Sequence, residues 1–160
     1  VASATDIASA RLVHLARERG VSLAVAESLT GGAVTAALVS QPGASRVLLG
    51  GIVSYTNEMK IALLGVPARL LADHGSVDSR VALAMAAGAR RVTGADVGLA
   101  TTGVAGPGAH DGKPVGTVYV AVCDDTGERL EGFSFSGDRD QIREQASLAA
   151  LDLALEHLAG

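Results

Sequence analysis

The stretch VSLAVAESLTGG, residues 21–32, decides how this chain of 160 residues is read. Val21 to Ala26 is a short apolar run of strand length, and Thr30-Gly31-Gly32 opens a helical pattern that continues through Val39 until Pro42-Gly43 stops it. Ser28 therefore lies on a strand-to-helix turn. Upstream, Ala8, Leu12 and Leu15 recur at helical spacing before Gly20, and Arg17 and Arg19 complement the carbonyl end of that helix.

The same alternation continues downstream. Val47 to Tyr55 is β-branched and glycine-containing, a strand pattern with a close backbone approach near Gly50-Gly51. Thr56 or Asn57 can cap a helix reaching about Leu64, a second helix follows Pro67, and a longer one runs from about Asp78 to Val92 with Ser76 or Asp78 as N-cap. Strands at Val97–Thr101, Thr117–Cys123 and Leu130–Phe135 come next, the last two joined by a hairpin turn across Asp124-Asp125-Thr126-Gly127. The final helix, from about Asp138, carries Ile142, Ala146, Ala149, Ala150 and Leu153 on one face, the stripe of a helix laid on a sheet. These elements imply an α/β fold, a three-layer α/β/α sandwich around a mixed sheet of about five strands, with residues 1–160 forming one domain.

Composition narrows the functional classes. The formal charge is −4 and no run of Lys or Arg occurs, so the electrostatic footprint of direct nucleic-acid binding is missing. The four aromatics, Tyr55, Tyr119, Phe133 and Phe135, are too few to form a stacking platform for single strands. Cys123 is the only cysteine and sits in an apolar run, as a small buried hydrophobe would. No signal pattern and no bilayer-spanning stretch is present, so a cytoplasmic protein without membrane association is expected.

Ser28 has a helix N-terminus behind it, so free backbone N–H groups would point at whatever it attacks and could hold an oxyanion or a phosphate. The plainer alternative is that Ser28 or Thr30 caps the helix. A serine nucleophile needs a base, and no histidine is near Ser28 in sequence. The cluster Ser54-Tyr55-Thr56-Asn57-Glu58-Met59-Lys60 places a phenol at a strand end and an ammonium about one turn into the next helix. Lys60 becomes a base if burial lowers its pKa, with Tyr55 relaying or orienting the proton; otherwise it is a solvated surface lysine. The chain has eleven Arg and two Lys, Lys60 and Lys113, so arginine serves where charge alone suffices and an amine at Lys60 gains weight.

Thr101-Thr102-Gly103-Val104-Ala105-Gly106-Pro107-Gly108 follows a strand and either wraps part of a nucleotide with backbone groups or simply turns the chain. Ser136-Gly137-Asp138-Arg139 opens the last helix, with Arg143 over the same face; this is either an anion site or an Asp138 cap beside surface arginines. The four histidines show no metal-ligand spacing, and neither a GxSxG elbow nor an SxxK motif occurs.

Six ordered blocks, AESLTGG (26–32), GGIVSYTNEMK (50–60), HGSVDS (74–79), TTGVAGPG (101–108), KPVGTVYVAV (113–122) and SGDRDQIREQA (136–146), together resemble the CinA C-terminal domain family from about residue 5 to the end. The resemblance implies a nicotinamide-nucleotide amidase, converting nicotinamide mononucleotide to nicotinate mononucleotide and ammonia in bacterial pyridine-nucleotide salvage, with no metal or other cofactor. It assigns Ser28 as nucleophile, Tyr55 and Lys60 as its catalytic partners, and Arg139 as the partner of the substrate phosphate, a task Arg143 could share. Thr30, Gly31, Gly103 and Gly106 follow as secondary pocket residues. The compact loop Gly108–Gly112 and the pair Thr101-Thr102 depart from the family pattern. A rival expectation is a non-catalytic nucleotide-binding or protein-interaction module linked to competence or DNA damage. A homodimer or higher oligomer is expected of so small an enzyme.

Overall fold

β1 (Leu23–Glu27) is buried at every position, and its apolar run is continuous because helices cover both of its faces. The computed structural model describes Val1–Gly160 and places β1 between β2 (Leu48–Val53) and β3 (Val97–Gly103), parallel to both. β4 (Thr117–Asp124) and β5 (Gly127–Ser134) continue the sheet antiparallel beyond β3, giving the order β2-β1-β3-β4-β5. The expected mixed five-stranded α/β fold is the one formed. Its hairpin is tighter than the sequence suggested: the Asp124 carboxylate accepts from the amides of Thr126 and Gly127, so β5 starts at Gly127 rather than near Leu130.

Two faces of the sheet bury two different cores. Leu23, Val25 and Leu99 point towards α1 (Ala4–Arg19), α2 (Ala33–Val39) and α6 (Arg139–Ala159), where they meet Leu12, Leu38, Ile142 and Leu151. The alternate residues Ala24, Ala26 and Ala100 face α5 (Ser79–Thr93), which with α3 (Asn57–Leu64) and α4 (Ala68–His74) covers the opposite side. That second side is built from small residues, so its helices come close. A Cβ added at Gly98 would stand 2.1 Å from the Ala86 carbonyl oxygen, and one at Gly88 would stand 2.2 Å from that of Leu64. The tight seat of α3 against α5 sets where Lys60 ends.

The chain leaves β1 for β2 through α2 on one face and returns from β2 to β3 through α3, α4 and α5 on the other. The carboxyl ends of β1 and β3 thus flank a point where successive connections diverge, the usual place for a ligand crevice in an open α/β sheet. Ser28 lies there. No helix is long and apolar enough to cross a membrane.

Candidate active site

Lys60 is the largest fully buried side chain in the protein, 1% exposed, although it begins on the first turn of α3. Thr56 caps that helix through the Met59 amide, and the Lys60 stem runs inward from it. Its ammonium makes three hydrogen bonds: to Ser28 Oγ at 3.0 Å, to the Ser54 carbonyl at 2.9 Å and to the Tyr55 carbonyl at 3.1 Å. No carboxylate forms an ion pair with it, and burial pulls its pKa from 10.5 down to about 8. An ammonium has three donors and here all three are spent. When it loses a proton, its two remaining N–H groups can stay on the two carbonyls, which turns the lone pair towards Ser28 Oγ. That arrangement suits a base acting on a serine hydroxyl.

The turn carrying Ser28 is braced on all sides. The Ser28 amide donates to the Thr101 carbonyl at 3.2 Å, and the fully buried Thr30 hydroxyl meets that of Thr101 at 2.7 Å. Neither Ser28 nor Thr30 caps α2. The helix begins at Ala33 rather than at Thr30, because Gly31 (φ +59°) and Gly32 (φ +104°) hold left-handed conformations that interrupt it. At the start that α2 takes instead, the amides are not free. Glu27 takes the Val34 amide on one carboxylate oxygen and the Thr35 amide on the other, each at 2.9 Å, and the second oxygen also accepts the Thr35 hydroxyl at 2.6 Å. The amides of Leu29 and Thr30 donate to no group in the chain.

Beside Ser28 lies a cavity of about 210 Å³, lined by Ser28, Leu29, Tyr55, Ser76, the strand end and loop from Gly103 to Gly106, Gly108 to His110, and Arg139. Gly103 and Gly106 are thus at the cavity, as expected. Thr30 and Gly31 do not line it: Thr30 is sealed beneath the turn and Gly31 faces solvent. At Gly106 (φ +89°) a Cβ would also meet Val115 at 2.7 Å, so both backbone conformation and space select glycine.

Tyr55 is placed differently from the relay role. Its carbonyl binds Lys60, but the residue is 59% exposed and its phenol accepts from the Arg139 guanidinium at 3.1 Å. Arg139 also donates to the Gly106 carbonyl, linking the two walls of the cavity at its mouth. It is the first residue of α6, behind an Asp138–Gln141 capping box, so the Asp138 cap is formed. Arg143, one turn on, does not line the cavity as Arg139 does. Its Nε donates to the Leu29 carbonyl at 2.9 Å and an Nη to the Thr30 carbonyl at 3.2 Å, so it secures the turn that carries Ser28.

Sequence reasoning missed Glu27, Ser76 and His110. The available signal for Glu27 was a carboxylate ending an otherwise apolar strand, and a charge buried there needs a hydrogen-bonding task. The departing loop Gly108–Gly112 does contribute to the site: Gly108 and His110 line the cavity, while Asp111 accepts the Ser76 amide at 3.2 Å. No cluster of three or more His, Cys, Asp or Glu is placed to hold a metal ion.

Residues 5–158 match the CinA C-terminal domain family. A CinA-like protein of Citrifermentans bemidjiense is 48% identical over 149 residues, 92% of this chain and 36% of its own length. One from Frankia casuarinae is 47% identical over 157 residues, 98% of this chain and again 36% of its length. The chain therefore spans little more than a third of these relatives. The solved structure of the competence/damage inducible protein CihA from Agrobacterium tumefaciens superposes with a TM-score of 0.94 at 33% identity, covering 99% of this chain and 98% of that one. A CinA superfamily protein from Escherichia coli gives 0.92 at 30% identity, with 96% and 90% covered. With a family match over nearly its whole length and the same fold in solved relatives, the chain belongs to the CinA C-terminal domain family.

Proposed function

We propose that the protein is a nicotinamide mononucleotide deamidase, hydrolysing the carboxamide to nicotinate mononucleotide and ammonia. The observation that carries this reading is the buried Ser28–Lys60 pair at 3.0 Å, opening on a cavity with Arg139 at its mouth. Neutral Lys60 takes the Ser28 proton as Oγ attacks the carboxamide carbon. The resulting ammonium, held by the Ser54 and Tyr55 carbonyls, returns the proton to the departing nitrogen, and ammonia leaves. Water, deprotonated by the same amine, then releases the acid from Ser28. The unengaged Leu29 amide, one residue after the nucleophile, receives the developing oxyanion. A guanidinium has five N–H donors, and Arg139 uses two of them on Gly106 and Tyr55, leaving donors for the phosphate. A soluble nucleotide substrate accords with a cytoplasmic site of action.

Purified protein incubated with nicotinamide mononucleotide, without added metal, should release ammonia and nicotinate mononucleotide in equal amounts. Ser28→Ala should abolish release while nucleotide binding persists. A folded wild type that binds the nucleotide and releases nothing would instead mark a non-catalytic nucleotide-binding module.

A further inference from the structure

Glu27 immediately precedes the nucleophile and is fully buried, yet no cation pairs with it. Its carboxylate reaches past residues 28–32 to cap α2 from outside, accepting the amides of Val34 and Thr35 and the Thr35 hydroxyl. The helix's own N-cap, Gly32, has no side chain to do this. The Glu27 carbonyl meanwhile accepts the Ser54 amide at 2.9 Å, joining this residue to the strand end whose carbonyl holds Lys60. One side chain thus ties both ends of the nucleophile turn together. It also occupies the helix-end amides that would otherwise attract an anion. Three amides of the turn stay unengaged, those of Leu29, Thr30 and the part-exposed Gly32; Leu29 and Thr30 are buried residues, whereas buried amides are nearly always bonded. Leu29 lines the cavity.

We propose that Glu27 is a positioning residue: by filling the α2 N-terminus it makes the turn present the Leu29 amide, rather than the helix end, to the oxyanion formed when Ser28 attacks. This rests on the amidase reading, but the device sets the turn around Ser28 and does not touch the substrate, so the two are separable. Thr35 belongs to the same device, and Gly51 is its counterpart in β2, since a Cβ there would fall 2.1 Å from Thr35 Oγ1.

The test compares Glu27→Gln, Thr35→Val and Thr35→Ser with wild type in amide hydrolysis and in phosphonylation of Ser28 by a fluorophosphonate, followed by intact mass. In the latter the Oγ–P bond forms, P–F breaks, fluoride leaves and Lys60 takes the proton. Glu27→Gln keeps one acceptor but turns an NH₂ on the other donor. It should lower kcat about 100-fold, the scale of a lost oxyanion contact, with KM within about twofold and phosphonylation slowed in parallel. The acid-side midpoint of the pH profile should not move, because only burial shifts Lys60. Thr35→Val should cost about tenfold, one charge-assisted hydrogen bond, and Thr35→Ser should restore the rate. A folded Glu27→Gln with wild-type kcat and phosphonylation overturns the role. If that variant does not fold, equal rates for Thr35→Val and wild type overturn it. Wild type that phosphonylates at Ser28 but never releases ammonia would sink the amidase reading and leave Glu27 to be judged by phosphonylation alone.

Discussion

Replacing Lys60 with methionine keeps an unbranched side chain one atom shorter and removes its charge, and the structure says what should change with pH. Lys60 is 1% exposed, and its pKa falls from 10.5 to about 8 because burial penalises the ammonium. At pH 7 about a tenth of the protein then holds the neutral amine, and at pH 9 about nine tenths, so kcat/KM should rise roughly tenfold across that interval. The same shift governs stability. The unfolded chain binds the proton more tightly than the folded one, so folding should strengthen as pH rises from about 8 towards 10.5. At ~1.4 kcal/mol per pH unit this amounts to about 3 kcal/mol. Below pH 8 both states are protonated and the penalty is constant. Urea unfolding of wild type and Lys60→Met at pH 7, 9 and 10.5, taken as the difference between the two, cancels other groups such as Cys123. The wild type should gain about 3 kcal/mol relative to the variant over that range. A flat kcat/KM between pH 6 and 9.5, or a difference in unfolding free energy that does not change with pH, would refute the buried-amine account.

Four further substitutions probe how the site is held. Gly88→Ala puts a Cβ against the Leu64 carbonyl at the end of α3, and should cost about 1–3 kcal/mol by overpacking while lowering kcat, because α3 carries Lys60; thermal melts and turnover of the same sample check both. Arg139→Gln should raise KM for nicotinamide mononucleotide by roughly 10–100-fold, the worth of a hydrogen bond to a charged group, with little effect on the unphosphorylated riboside. Arg143→Gln should instead lower kcat at nearly constant KM, since Arg143 holds the Leu29 and Thr30 carbonyls. Asp138→Ala removes the α6 capping box and should destabilise by about 1 kcal/mol, with the larger kinetic effect on KM through Arg139.

Most of the architecture was legible from local pattern. The continuous apolar run at 21–26, the helix stops at Gly20 and Pro42-Gly43, and the apolar stripe of the last helix each report a choice made within a few residues. Even the close approach at Gly50-Gly51 could be read, and Thr35 packs against Gly51. Boundaries slipped where side chains from elsewhere intervened. The start of α2 moved from Thr30 to Ala33 because two glycines adopt positive φ and a carboxylate from β1 supplies the cap.

Residue types and order by themselves determined the α/β class, the acidic and nearly aromatic-free character, and the polar clusters around Ser28, Lys60 and Arg139. Only the tertiary structure decided what each polar group does. Lys60 and Ser28 are 32 positions apart, and Arg143 lies more than a hundred from the carbonyls it binds. Such partnerships follow from the order of strands in the sheet and from the depth to which α3 sinks against α5. Periodicity reports which face of an element is apolar. It carries no information on which distant hydrogen-bonding group will satisfy a charge once that face is buried, and for Lys60, Glu27, Tyr55 and Arg143 that partner defines the role.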